Sequence, residues 1–394
     1  MTLATRVAAL APSPTMALDA KTKALISQGL DVVNLTAGEP DFDTPLFIRQ
    51  AAAEAMNRGE TRYTAVGGTP RLKLAVSARL KEDAGLVYAP EEILVSDGAK
   101  HSLYNAILSL TDSGDGVLLP VPYWVTYPEQ IRLAGGEVQF VQIDPTHGGE
   151  LTVNDLKRAL RPNSRGIILN SPSNPSGAVI GKANLQAIAE FALDHDLWVI
   201  SDEIYGRLIY DGVRAVSIAT FPGMRERTIV INGVSKSYAM TGWRIGYAAG
   251  PSAVIKAMAN LQSQSTSNPS SVSQAAALAA LEGPQESVDE MRREFDRRRR
   301  YAVSRIQSIP GLAVNEPKGA FYLWVDMKGV IGRTIRDRRI TQADDLALLW
   351  LEEGNVSLVP GSGFGVPDHL RMSYATSMER LAEGLDRMER LLEE

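Results

Sequence analysis

The sequence predicts an α/β protein with a mostly parallel central sheet, helices on both faces of that sheet, and a smaller α+β domain. Three observations carry this. Short aliphatic runs recur between residues 90 and 250 with helix-like segments between them; these runs are nearly free of polar residues; and after Ser273 the texture changes to long helical patterns. Aliphatic runs with few polar interruptions suit strands covered on both faces, whereas a sheet with one wet face would alternate apolar and polar residues.

The strands are read in order as "EILVS" from Glu92, "GVLLP" from Gly116, "VQFVQI" from Val138, "RGIILN" from Arg165, "LWVIS" from Leu197, "TIVIN" from Thr228 and "IGYAA" from Ile245. Between the fourth and fifth runs, "NLQAIAEFALDHD" from Asn184 has helical spacing. Beyond Ser273 come "SQAAALAALEG" and "VDEMRREFDRRRRYAVSRIQSI", then a second α+β set containing "GAFYLWVDM" and "GNVSLVPGSGFG". The predicted division is an N-terminal arm and part of the small domain over 1–40, a large domain over 41–285, and a small C-terminal domain over 286–394. Arg297 to Arg300 lie in a helical pattern beside Glu294 and Asp296, so they are expected to form a solvated helix face without chemistry.

Bulk composition narrows the function. A chain of 394 residues with 44% hydrophobic and 22% charged residues is an ordinary globular protein, and its net charge of −5 offers no broad basic surface for nucleic acid or anionic lipid. It has no cysteine, which excludes disulfides, thiolate nucleophiles and cysteine-bound zinc and fits a cytoplasmic location. The four histidines, His101, His147, His195 and His369, are isolated in sequence, so no metal is expected. Pro12, Pro14 and Asp19 break the N-terminal apolar stretch, and no window reaches the ~20 apolar residues of a membrane span. Neither an export signal nor a membrane segment is predicted.

In open α/β sheets, ligands gather at the carboxyl ends of the strands. The residues there are chemically distinctive. "GIILN" leads into "SPSNPSG" with Asn174, "LWVIS" into Asp202 and then Tyr205, and "TIVIN" into "GVSK" with Lys236. "EILVS" leads into "DGAKHSLYNAIL", where free N–H groups at the start of a helix favour an anion such as phosphate. An amine that condenses with an aldehyde, a buried carboxylate that keeps a pyridine nitrogen protonated, and an amide with a phenol for a ring oxygen together suit pyridoxal 5'-phosphate.

The chain resembles the class I, fold-type I pyridoxal-phosphate aminotransferases, and within them bacterial aspartate aminotransferases of the Iβ subgroup, along essentially its full length. The resemblance rests on "NLTAGEPDFDTP" from Asn34, "RYTAVGGTP" from Arg62, "VPYWVTYPE" from Val121, "NSPSNPSGAV" from Asn170, "SDEIYGRLIY" from Ser201, "SKSYAMTGWRIGY" from Ser235 and "LRMSYATS" from Leu370. It implies that Lys236 bonds the cofactor's aldehyde carbon and later serves as base, that Asp202 pairs with the ring nitrogen, and that Asn174 and Tyr205 hold the ring oxygen. Trp124 would cover the ring face. The phosphate would meet the backbone of Gly98, Ala99 and Lys100, the Ser235 hydroxyl and the Arg244 guanidinium, with Tyr63 reaching over from a neighbouring subunit of a homodimer.

The same resemblance assigns Arg371, helped by the Gly38 N–H, to the substrate's α-carboxylate, with Trp124 and Asn174 also bordering the substrate. Lys100, Ser13 and Thr15 match the residues that receive an acidic side chain. The expected reaction is amino transfer between L-aspartate and 2-oxoglutarate. Ala11 stands where relatives that also accept prephenate carry a lysine, which speaks against that substrate. Transfer from aromatic or other amino acids and same-fold β-elimination stay open at this stage.

Taken singly, these residues have plainer readings: Lys236 as an exposed loop lysine, Asp202 as a helix cap, Trp124 as core, Arg371 as a solvent-facing strand residue. Their combination decides. A hydrolase reading of "GVSKS" fails because Ser237 occupies the closing glycine's place. A nucleotide-binding reading fails because Gly181-Lys182 is followed by Ala183.

Overall fold

The computed structural model describes residues 1–10, 14–144 and 149–393, with backbone alone for residues 14–17 and 19. Each of the seven aliphatic runs forms a strand: β1 (Ile93–Asp97), β2 (Gly116–Val121), β3 (Glu137–Gln142), β4 (Ser164–Asn170), β5 (Trp198–Asp202), β6 (Thr228–Gly233) and β7 (Ile245–Ala249). They make one sheet in the order β1-β7-β6-β5-β4-β2-β3. Strand β7 is antiparallel to both its neighbours, β1 and β6, and the remaining pairs are parallel. Six strands therefore point their carboxyl ends to one edge.

Alternation along the strands feeds two apolar layers. Ile168, Ile200, Ile229 and Ile231 join one cluster with Leu103, Ala106 and Ile107 of helix α1 (Ala99–Leu110) and Tyr127 and Ile131 of helix α2 (Thr126–Leu133). Ile167, Leu169 and Val199 point the other way, toward Leu185, Ile188 and Ala192 of the helix Lys182–Asp194. Burial on both faces explains the unbroken aliphatic runs. Strand β3 departs from the expectation: Glu137, Phe140 and Gln142 are exposed while Gln139 and Val141 are buried. It is the sheet's edge, with a single neighbour, so part of its surface meets water.

The C-terminal region builds a separate apolar cluster around strands β8 (Tyr322–Asp326) and β9 (His369–Ser373), which pair antiparallel. Val33 and Leu35 from the N-terminal segment sit in the same cluster, and Val33–Asn34 pairs in parallel with Val356–Ser357. Tyr205, Leu208 and Tyr210 join it from beyond β5, so the chain leaving the central sheet is anchored in the second core.

The arginine run corrects the sequence expectation. Helix α3 (Glu286–Ser308) exposes Arg297 and Arg300 but buries Arg298 and Arg299. Arg298 donates to Asp41 at 2.7 Å and Glu294 at 2.9 Å, over the rings of Phe42 and Phe295. Arg299 donates to Asp211 at 2.8 Å, Asp296 at 2.7 Å and the Pro317 carbonyl at 2.8 Å, with Tyr210 beneath it. A helix turns about 100° per residue, so four consecutive arginines cannot share one face. Two of them became internal ties, holding the segments that follow Gly38 and Tyr205.

Removing one partner of a buried ionic cluster strands the others. Arg299→Met is expected to lower the unfolding free energy of the cofactor-free protein by about 3 kcal/mol in urea titrations. Arg297→Met should leave the transition where it is. An Arg299 variant as stable as the parent would show that the cluster contributes no net stability.

Candidate active site

The carboxyl edge of the sheet and the second core enclose a cavity of about 530 Å³. Lys236, Asp202, Tyr205, Asn174, Trp124, Ala99, Lys100, Ser235, Arg244, Gly38 and Arg371 all line it. Residues 198 positions apart thus share one wall: the Lys236 amine donates to the Gly38 carbonyl at 2.5 Å.

Asp202 is the last residue of β5 and is 3% exposed. Its Oδ2 accepts from the Tyr127 hydroxyl at 2.8 Å and its Oδ1 from the Ile204 N–H at 3.2 Å. No ion pair reaches it among the described residues. Burial pushes its pKa up to about 6, against the lowering effect of the Tyr127 bond, the Ile204 N–H and the Lys236 charge. It is still ionised at pH 7, by roughly tenfold. A buried carboxylate with a face on a cavity and no cation bound to it is a receptor for a positively charged N–H.

Lys236 lies in the turn after β6, its amine open to the cavity and otherwise ringed by protein. Burial lowers its basicity to about 8; Glu39 and Asp202 oppose this, and Arg244 and Arg371 reinforce it. Roughly one molecule in ten therefore carries a neutral, nucleophilic amine at pH 7. Glu39 also accepts from the Thr241 hydroxyl at 2.6 Å, fastening the N-terminal segment to the loop that carries Arg244.

Arg371 is on β9, and the structure buries it to 4% exposure where strand alternation alone left it free to face solvent. Its Nη1 donates to Asn174 Oδ1 at 3.0 Å and its Nη2 to the Thr36 carbonyl at 2.8 Å, with the guanidinium 4.6 Å from the Tyr322 ring centroid. Its Nε has no hydrogen-bond partner, and no carboxylate pairs with it among the described residues. A guanidinium buried against neutral groups is a ready site for a carboxylate. The Asn170 side-chain oxygen accepts from the Asn174 N–H at 2.8 Å, while its amide donates to the Asp202 carbonyl at 3.0 Å, so Asn174 is indexed to the end of β5.

The opposite corner is shaped for an anion. Gly98 caps helix α1 with φ +85°, and a Cβ there would come within 2.3 Å of Arg244 Nη2. Gly246 lets β7 approach so closely that its Cβ would lie 2.1 Å from the Ala99 nitrogen. Both glycines keep side chains away from the first N–H groups of α1; Arg244 lies beside Gly98, and Ser235 lines the same cavity. Arg244 is fixed by its own bond to the Thr241 carbonyl at 2.9 Å. Lys100 is exposed beside this corner, its amine 4.9 Å from the Trp124 ring centroid, and burial together with the Arg244 charge lowers its basicity.

Some predicted residues are placed differently or not at all. Gly38 presents its carbonyl to Lys236. Tyr63 is 92% exposed and lines a different surface hollow with Arg62 and Ser271, apart from the cavity of its own chain. Ser13, the Thr15 side chain and Ala11 lie outside the described residues. Tyr127, Tyr322, Glu39 and the Thr36 carbonyl were missed. Tyr127 and Tyr322 sit in apolar contexts, "VTYPE" and "AFYLW", that read as core; only the cost of burying an unbonded hydroxyl hinted at polar duties.

The family model described as aminotransferase class I and II matches residues 30–388. An aspartate aminotransferase from Geobacillus stearothermophilus is 47% identical over 398 residues, covering 100% of this chain and 99% of that protein. A protein named as a probable aspartate/prephenate aminotransferase from Aquifex aeolicus is 44% identical over 395 residues, covering 100% and 99%. The structure of an aspartate aminotransferase from Thermus thermophilus with maleate superposes with a TM-score of 0.94 at 40% identity, covering 99% of this chain and 100% of that one.

The cavity's charges make a direct test. Amine-selective labelling of the cofactor-free protein at Lys236 should rise through a midpoint near pH 8, well below an ordinary lysine. Glu39→Gln, by removing the main charge that favours the ammonium, should move the midpoint lower still. A higher midpoint in the variant would contradict this account of the site.

Proposed function

Because the chain belongs to the class I and II aminotransferases, whose fold-type I members use pyridoxal phosphate, we propose that it is an aspartate aminotransferase, moving the amino group between L-aspartate and 2-oxoglutarate to give oxaloacetate and L-glutamate. One observation carries the reading: besides Arg244 at the phosphate corner, two further cations with no ion pair among the described residues, Arg371 and Lys100, line the same cavity as Lys236. A substrate with two carboxylates and an amine answers all three.

The residues present fit the cofactor. Asp202 is a buried carboxylate in need of a cationic N–H, and the glycine-cleared start of α1 with Arg244 and Ser235 is a phosphate cradle. Bound pyridoxal phosphate supplies an aldehyde carbon that exchanges amines and a protonated ring that takes up the electron pair left at the substrate's α-carbon. In this proposal Asp202 keeps the proton on the ring nitrogen, Asn174 and Tyr205 hold the ring oxygen, and Trp124 covers the ring face. The backbone of Gly98, Ala99 and Lys100, with Ser235 and Arg244, holds the phosphate. Lys236, whose basicity is near that of a general base working at neutral pH, takes the α-carbon proton and returns it at C4′. Arg371, with Gly38, Asn174 and Trp124 around it, fixes the α-carboxylate so that the α-hydrogen faces that amine. Lys100, with Ser13 and Thr15, receives the distal carboxylate. The name of the Aquifex relative favours prephenate as a second acceptor, against which Ala11 speaks.

The proposal extends to assembly. An exposed Tyr63, with Leu46, Met56 and Leu74 also exposed, supports a homodimer in which Tyr63 serves the partner's phosphate corner. It further takes 286–394 with 1–40 as a unit that closes on 41–285, and a cytoplasmic location.

The deciding experiment is the visible spectrum of cofactor-loaded protein with L-aspartate and no keto acid. The expected result is loss of the lysine-bound cofactor band with stoichiometric oxaloacetate; a band that ignores aspartate but answers another amino acid would overturn the specificity. Lys100→Ala should weaken aspartate and glutamate at least tenfold more than alanine and phenylalanine, and equal losses would remove Lys100 from side-chain recognition. Sedimentation should give twice the chain mass; a monomer that is fully active would reject the shared site.

A further inference from the structure

Tyr127 is 2% exposed, on α2, in an apolar cluster with Leu119, Ile168 and Ile200. A phenylalanine would fill that space without the cost of a buried hydroxyl, which is tolerable only when bonded. Among the described residues the hydroxyl has one partner, Asp202 Oδ2 at 2.8 Å. The ring is fixed edge-on against Trp124, centroids 5.4 Å apart, so the hydroxyl is aimed by packing on the wall of the cavity itself.

The other groups near Asp202 have different commitments. The Tyr205 hydroxyl bonds Tyr322 at 3.0 Å, Glu203 accepts from Ser201 at 2.8 Å and Ser217 at 2.6 Å, and Lys236 donates to Gly38. The Ile204 N–H on the other carboxylate oxygen, at 3.2 Å, is the longer of the two bonds. Tyr127 is thus the side chain that satisfies and orients the Asp202 carboxylate.

We propose that Tyr127 is a positioning residue for the transfer reaction: its buried hydroxyl keeps Asp202 ionised and aligned, so that the proton shared with the cofactor ring stays on the ring nitrogen. This rests on the pyridoxal-phosphate reading given above. The logic is a competition for one proton. In a site that already raises the pKa of Asp202 to about 6, losing its one side-chain donor among the described residues moves the carboxylate toward the neutral acid at working pH. A neutral acid facing the ring withdraws the positive charge that makes the ring an electron sink. Tyr127 touches neither the substrate nor the ring in this account and acts through Asp202.

The test starts on the cofactor-free full chain, labelled with carboxyl-¹³C aspartate and read by NMR, with Asp202→Asn identifying the resonance. The parent should titrate near pH 6. Tyr127→Phe should titrate about one pH unit higher or more, the size of a charge-assisted hydrogen bond. An unmoved or lowered midpoint overturns the proposal. In the cofactor-loaded protein, Tyr127→Phe should slow the aspartate half-reaction at least tenfold at saturating aspartate while KM changes little; an unchanged rate also overturns it. Should the phenylalanine variant not fold, 3-fluorotyrosine at position 127, a stronger donor of nearly the same shape, should lower the Asp202 midpoint, and no change would count against the proposal. If the parent protein takes up no pyridoxal phosphate, the functional reading fails, whereas the titration of the cofactor-free chain still decides whether Tyr127 governs Asp202.

Discussion

Three ionisable groups, Asp202, Lys236 and Arg371, are kept from bulk water within one cavity without neutralising one another, and the rest of the structure serves that constraint. Left to solvent or to each other, a carboxylate and two cations would pair, and a closed pair has nothing to offer a ligand. They are held apart by being rooted in different elements: the end of β5, the turn after β6, and β9 of the second core. Each has a neutral partner instead, respectively a tyrosine hydroxyl, a backbone carbonyl, and an amide with a second carbonyl. Neutral dipoles orient a charge without cancelling it, which is how a preorganised site differs from a salt bridge.

The two cores make this separation rigid. Six strands ending at one edge place Asn170, Asp202 and Lys236 within reach of each other by register alone, and β4 and β5 pair Asn170 directly with Asp202. The second core then supplies Arg371 from across the cavity. Besides the apolar anchoring of Tyr205, Leu208 and Tyr210 in the second core, α3 adds ionic ties at the site: Arg298 grips the segment just after Gly38 and Arg299 the segment just after Tyr205. Burying guanidiniums over aromatic rings with several carboxylates each helps keep both segments in place.

Legibility in the sequence followed physical range. The seven strands were readable because burial on both faces writes itself into consecutive residues, and β3 was misjudged where an edge position relaxed that demand. Asp202, Asn174 and Lys236 were readable because they follow strands whose ends were already known. Tyr127 and Tyr322 were not, since their partners lie 75 and 117 positions away and nothing local distinguishes a core tyrosine from one aimed at a carboxylate. Arg298 and Arg299 were misread for the same reason: their acidic neighbours in sequence, Glu294 and Asp296, explained them too easily, while Asp41 and Asp211 were out of sight. Tyr63 is a different case, since no property of a single chain brings it to the cavity.

The bond from Lys236 to the Gly38 carbonyl joins the loop behind the central sheet to the N-terminal segment that crosses the cavity. An amine has one lone pair, and when that pair is committed to a carbon atom fewer hydrogens remain for the carbonyl. With Lys236 as the reagent proposed above, one side chain is both reagent and fastener, and the two uses compete. In the proposed reaction the amine gives up hydrogens it could offer the Gly38 carbonyl while it is bonded to carbon, and regains them when it is free.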